Sequence, residues 1–202
     1  MDAHLESDPG VQWMLAYQNG DERAFDRIVE HYSGQVFSLL TRFLGQKAAR
    51  EDMVQDVFLR VVRARERYEP TARFSTWLYR ITFNLAVNET QRAGGKELSA
   101  HDVGGADEDE AGDVLANHRD DRTGDPADRL VQDDVVLAVR AAIARLPEQQ
   151  RMALVLAKYH DMPYVEIATV LGSSEKAVKS LVHRARENLR ETLAPYLQGE
   201  IA

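Results

Sequence analysis

The residues with the clearest capacity for chemistry lie near the end of the 202-residue chain. In SEKAVKSLVHRARENLRETL, Val178, Leu181, Val182, Ala185 and Leu189 recur at helical spacing and form an apolar stripe. Lys176, Lys179, Ser180, His183 and Arg184 are left facing outward. Between Lys176 and Arg190 five basic residues stand against one acid, Glu187, in a chain whose formal net charge is −8. Lysine and arginine on such a face can donate to phosphates or to guanine O6 and N7, and serine and histidine can hydrogen-bond either. The preceding YVEIATVL, ended by Gly172 and joined through Gly-Ser-Ser, gives the pair the build of a helix-turn-helix. In that motif the second helix enters the major groove. A solvated cationic face on an ordinary helical hairpin satisfies the same spacing.

Two further groupings lie in the first half. In AREDMVQDVFLRVV, Asp52, Gln55 and Asp56 share a helix face, and Leu59 joins it four residues after Gln55. A leucine among carboxylates suits a protein-binding ridge, although a plain amphipathic surface reads the same way. The next helical segment brings Phe74, Trp77, Tyr79 and Phe83 together with Arg73, Arg80, Asn84, Asn88 and Arg92. Aromatics interleaved with arginine and asparagine can stack on unpaired bases and hydrogen-bond their edges. For Phe74 and Trp77, packing in a core is an equal alternative.

Enzyme chemistry finds no foothold. The chain has no cysteine, which excludes thiolate zinc sites, disulfides and cysteine nucleophiles. None of its six histidines belongs to a Glu-x-x-His or His-Glu-x-x-His pattern. Gly95-Lys96 lacks the upstream glycine of a phosphate loop. No cofactor, metal or catalytic residue is expected.

The elements that must position these groups follow from charge and period. Residues 1–95 carry a net −1, residues 96–134 a net −9 and residues 135–202 a net +2. The middle stretch is rich in Gly, Asp and Ala and too poor in large apolar residues to offset its ordering entropy. It reads as a flexible acidic linker over 94–128, between domains at 1–93 and 129–202. In the first domain, Asp21 is placed to cap a helix carrying Phe25, Ile28, Val29, Tyr32, Phe37, Leu40 and Leu44. Met53, Val54, Val57, Phe58, Val61 and Val62 make one stripe of a helix over about 49–66. A third helix, over about 75–92, ends at Gly94-Gly95. In the second domain a helix runs through Leu130 to Leu146, Pro147 and Pro163 open two more, and Ser173 or Ser174 caps the last. The fold class is all-α: an N-terminal helical bundle and a C-terminal helix-turn-helix domain. No apolar run approaches the length of a membrane-spanning helix, and MDAHLESDPG lacks the build of a signal peptide, so a cytoplasmic protein without membrane insertion is expected.

Taken together, the motifs resemble an extracytoplasmic-function sigma factor of the bacterial sigma-70 family. EDMVQDVFLRV is similar to that family's core-binding segment, and RFSTWLYRITFNLAVN to its promoter-melting helix with the loop before it. LPEQQRMALVLAKYHDMPYVEIATVLGSSEKAVKSLVHRARENLRE resembles the region that reads the upstream promoter element. The likeness covers nearly everything outside the linker, in the family's order.

The resemblance implies a subunit that gives RNA polymerase core enzyme its promoter specificity. Asp52, Gln55, Asp56 and Phe58, with Leu59 beside them, would dock on a coiled coil of the largest polymerase subunit. Asn84 would help capture a flipped base of the downstream element, with the 68–75 loop completing the pocket and Phe74, Trp77, Arg80 and Asn88 nearby. Lys176, Lys179, Ser180, His183 and Arg184 would read the upstream element as duplex. An anti-sigma factor is a further partner the family implies, and its linkers thread a basic channel of the polymerase. One departure stands out: Asn88-Glu89-Thr90-Gln91-Arg92 follows the melting helix where family members place several basic residues. Two other readings use fewer of the features. A stand-alone helix-turn-helix regulator leaves the Asp52–Phe58 ridge idle, and a helical adaptor needs no DNA at all.

Overall fold

The computed structural model describes residues 3–45, 50–97 and 126–197, and among these every regular element is helical. A short helix α1 (Ala3–Glu6) precedes α2 (Pro9–Gln18), whose N-terminus is capped by the Asp8 carboxylate accepting from the Val11 N–H at 3.0 Å. Pro9 suits the first turn, where its missing donor is not needed. Helix α3 (Glu22–Leu44) starts at Asp21, as its sequence predicts, with Arg23 N–H donating to that side chain. Helix α4 (Arg50–Ala64) passes through a 3₁₀ turn, Arg65–Arg67, into the 68–73 loop. Helix α5 (Phe74–Glu97) follows.

The C-terminal half comprises α6 (Pro126–Arg145), α7 (Glu148–Tyr159), α8 (Tyr164–Leu171) and α9 (Glu175–Leu197). Pro147 and Pro163 sit at the N-caps of α7 and α8. Gly172 closes α8 with φ 61°, a left-handed conformation that only glycine adopts without strain. Ser174 begins α9 by accepting from the Ala177 N–H.

Three details depart from the sequence reading. Helix α5 runs through Gly94 and Gly95 to Glu97 instead of stopping there, because two glycines weaken a helix without forbidding it. Helix α6 already begins at Pro126, so both edges of the expected linker are helical, and the rest of it lies outside the described residues. Val62 faces solvent at 38% exposure instead of joining the buried stripe of Met53, Val57, Phe58 and Val61.

The core of the first half gathers Val11, Met14, Ile28, Val36, Leu39, Leu40, Phe43, Val57, Phe74 and Leu78. It continues without a break into Met152, Val155, Leu156, Ile167 and Val178 of the second. The halves are therefore packed together, through α5 against α8 and α3 against α6 and α7. Arg151 bridges them: it donates to Phe43 O at 2.7 Å, to Leu146 O at 2.9 Å and to Ala144 O, so one guanidinium closes the carbonyl ends of α3 and α6. A cation at two helix C-termini is favoured by both dipoles. Tyr79 Oη donates to Gln35 Oε1 at 2.7 Å and meets His160 Nδ1 at 3.1 Å. The buried setting of this contact favours the neutral imidazole of His160. Burial first, then the nearby Arg42 charge, hold its pKa down at about 4.

Candidate functional site

On α9 the two faces separate as the period requires. Val178, Val182 and Ala185 are buried against α7 and α8, and Leu181 and Leu189 are half-buried. Lys176, Lys179, His183 and Arg184 are exposed and Ser180 is half-exposed, so all five expected residues lie together on the outer face. Lys179 Nζ rests 2.8 Å from Glu175 Oε1, one turn earlier. That hydrogen bond holds the ammonium above the ordinary lysine range. Both partners are well exposed, so the pair is weak and a phosphate or base can replace it. Gly172-Ser173-Ser174 joins α8 to α9, and Ser173 N–H donates back to Ala168 O at 2.8 Å, fixing the exit of the first helix.

Helix α5 presents a second line. Arg80, Asn84 and Asn88 are exposed at spacings of four, and Trp77 stands half-buried three residues before Arg80, so the four share a face. Trp77 is held edge-on by Tyr68 at 4.9 Å and tilted against Phe74 at 5.5 Å. Phe74 is a correction to the expected surface: its exposure is 0%, it packs on Tyr32 and Tyr68, and a Cβ added at Gly10 would stand 2.7 Å from its own Cβ. It orients Trp77 from beneath and does not itself reach solvent. The structure also places Thr76, fully buried, and Arg73 at the head of α5 against Glu166 of α8. Nothing local in the sequence signals this pairing, which joins residues 90 apart.

The third group is on α4. Asp52, Gln55, Asp56 and Leu59 are exposed together, Leu59 at 50%. Val62, one turn on, extends the apolar end of the ridge. Phe58 is buried beneath it at 6% exposure, its ring edge-on to Phe25, so it anchors the helix and does not offer a docking surface here. Phe37 on α3, 39% exposed, lies under the Arg50 guanidinium.

Residues 28–95 match the model of Sigma-70 region 2, and residues 137–189 that of Sigma-70, region 4. The RNA polymerase sigma-H factor of Pseudomonas aeruginosa is 34% identical over 96% of this chain and 98% of its own length. The chain belongs to the extracytoplasmic-function sigma factors of the sigma-70 family. The ECF RNA polymerase sigma-E factor of Escherichia coli K12 is 30% identical, over 90% of this chain and 92% of its own. Among solved structures, that of CnrH in complex with the cytosolic domain of CnrY aligns with a TM-score of 0.62 at 25% identity, covering 93% of this chain and 97% of that one. The sigma factor RpoE in complex with the anti-sigma factor NepR, from Bartonella quintana, shares the fold with a TM-score of 0.61 at 20% identity, over 84% and 96% of the two chains. As a sigma factor the protein serves promoter-specific initiation by RNA polymerase. Its matched regions contain all three groups: α4 and α5 lie in region 2, α8 and most of α9 in region 4. Among the described residues, no helix is long and apolar enough to cross a membrane.

Proposed function

We propose that the protein docks on RNA polymerase core enzyme through Asp52, Gln55, Asp56 and Leu59, reads an upstream promoter element as duplex through α9, and captures flipped bases of a downstream element along α5. The observation that carries this reading is the outer face of α9, where Lys176, Lys179, Ser180, His183 and Arg184 stand clear of the core on the second helix of a helix-turn-helix. Bases extruded from the duplex are most strongly held by stacking and by hydrogen bonds to their edges, which Trp77, Arg80, Asn84 and Asn88 offer in one line. Unstacking costs a few kcal/mol per base, and a surface that binds the extruded base recovers part of it, so melting becomes sequence-selective. Linking the two readers in one chain raises promoter affinity through effective concentration. The complex of its structural relative RpoE with the anti-sigma factor NepR supports such a partner here, and work alongside polymerase supports a cytoplasmic location.

The test is reconstitution with purified bacterial core polymerase on a genomic fragment library, followed by sequencing of RNA 5′ ends. Protein-dependent starts sharing two spaced upstream elements are expected. Specific retention on duplex fragments without new starts would instead establish a stand-alone regulator.

A further inference from the structure

Helix α2 makes one set of contacts to which the proposed function gives no role. Gln18, its last residue, donates from the side-chain amide to Glu66 O and to Tyr68 O, each at 3.3 Å. Both partners are carbonyls, so only the amide nitrogen can face them, and its two N–H groups serve one each. The residues so joined stand 48 and 50 positions apart in the chain. Beside this tie, the Arg65 guanidinium lies 4.1 Å from the Tyr17 ring centroid and donates to Glu22 Oε1 at 2.7 Å. The end of α2 and the start of α3 thus grip the 3₁₀ turn that leads into the 68–73 loop. Helix α2 lies ahead of the stretch matched to Sigma-70 region 2, residues 28–95.

The grip falls where the chain supports itself least. Over residues 68–73, the backbone N–H groups that bond other backbone among the described residues are those of Tyr68, to Arg65 O at 3.5 Å, and Thr71, to Glu69 O at 2.9 Å. The support, by contrast, is fixed by its own backbone. Gly20 N–H donates to Tyr17 O at 3.1 Å and Asp21 N–H to Ala16 O at 3.0 Å, closing the turn after α2. Tyr68 carries the effect onward, because its ring stands edge-on to Trp77 with centroids 4.9 Å apart. The carbonyl that Gln18 holds therefore belongs to the residue that seats Trp77.

We propose that Gln18 is a positioning residue for the downstream element: by holding Glu66 O and Tyr68 O it keeps the 68–73 loop and Trp77 in the arrangement that accepts an extruded base. The inference rests on the promoter reading above, in which this loop completes the pocket. A loop already in place loses no ordering entropy when the base arrives, so the tie favours capture without touching DNA. Without it, affinity for the captured base falls by the fraction of molecules in which the loop is seated. Strands held through phosphates alone are unaffected, so what falls is base preference.

Three variants test this. Gln18→Met removes the amide at similar length, Gln18→Glu keeps the shape without a donor at neutral pH, and Gln18→Lys restores a donor. Holoenzyme reconstituted from purified core polymerase and each variant is mixed with a random pool of single-stranded DNA 20-mers, and the retained strands are sequenced. Wild type is expected to enrich one base at the captured position. Gln18→Met and Gln18→Glu should lower that preference about fivefold, the scale of one ordinary hydrogen bond, and Gln18→Lys should stay within about twofold of wild type. The total retained should not change. In the free chain on a Trp13→Phe background, acrylamide quenching of Trp77 should rise in Gln18→Met and Gln18→Glu but not in Gln18→Lys. Wild-type preference kept by both donor-less variants would overturn the proposal. So would an equal loss at every position with lowered thermal stability, the mark of a merely structural residue. Unchanged quenching in both would overturn the tie itself. No base preference in wild-type holoenzyme, with the quenching shifts intact, would instead overturn the promoter reading and leave Gln18 as the seat of the loop alone.

Discussion

Gly10 and His160 show how much rests on single positions away from any binding face. A Cβ at Gly10 would stand 2.5 Å from Tyr32 Oη and 2.7 Å from Phe74 Cβ, and the second of these belongs to the buried ring beneath Trp77. Gly10→Ala should therefore lower stability by about 1–3 kcal/mol, the range for overpacking a core. It should also disturb tryptophan fluorescence, to which Trp13 and Trp77 both contribute, and denaturant unfolding followed by that signal measures the loss of stability. His160 gives a pH dependence of determinate sign. Its folded pKa is about 4, against an ordinary 6.5, so between these values the unfolded chain binds a proton that the folded chain refuses. Stability is then fully present above the unfolded value and falls as pH drops through the window, by about 2 kcal/mol after allowance for partial solvent access. Arg42 deepens the penalty on protonation, while Asp161 opposes it. His160→Gln should be less stable at neutral pH yet lose this slope, which guanidinium titrations at several pH values between neutrality and the lower limit would reveal.

At the scale of elements, the local punctuation was legible and the long-range contacts were not. Asp21, Pro147, Pro163, Gly172 and Ser174 mark helix ends by chemistry acting within four residues, and the structure places helix ends at each. The outer face of α9 was equally readable, because one 3.6-residue period decides it. Helix α2 carries the same kind of signal, Asp8-Pro9 ahead of Val11, Met14 and Tyr17. Phe74 and Val62 are different: whether an aromatic or a valine at a stripe's edge is buried depends on which helix arrives from elsewhere, and the spacing along one helix does not contain that. The separation of faces yields a paired prediction. Lys179→Ala should weaken duplex binding at the upstream element by about tenfold, the scale of one good side-chain contact to a base, and leave polymerase binding intact. Asp56→Ala, with Leu59→Ala as an apolar counterpart, should do the reverse, as truncation of a docking residue does. Gel shift with duplex promoter and co-elution with core polymerase separate the two losses, and a Lys179→Ala protein that still binds the upstream element would move the recognition face elsewhere.

Across the whole molecule, the charge is arranged against indiscriminate DNA binding. The net −9 of residues 96–134 is larger than the entire formal charge of −8, while the region-4 half is slightly basic. Coulomb repulsion between this acidic segment and phosphates acts over a Debye length of about 10 Å at 0.1 M salt, so it opposes approach of DNA to the free chain without any contact. Contacts from the proposed recognition face of α9 must overcome it, and the repulsion lowers binding to specific and to arbitrary duplex by the same factor. Replacing Asp107, Glu108, Asp109, Glu110 and Asp113 by their amides should therefore strengthen binding of the free chain to arbitrary duplex several-fold at low salt. The gain should vanish at high salt, because screening removes the same repulsion the substitutions remove. If the segment also occupies a basic channel of the polymerase, as the family resemblance implies, the same variant in holoenzyme should yield an altered ratio of abortive to full-length RNA. The two readouts separate the roles: a salt-dependent affinity change in the free protein reports repulsion of DNA, and a changed abortive ratio reports competition with nascent RNA for the channel.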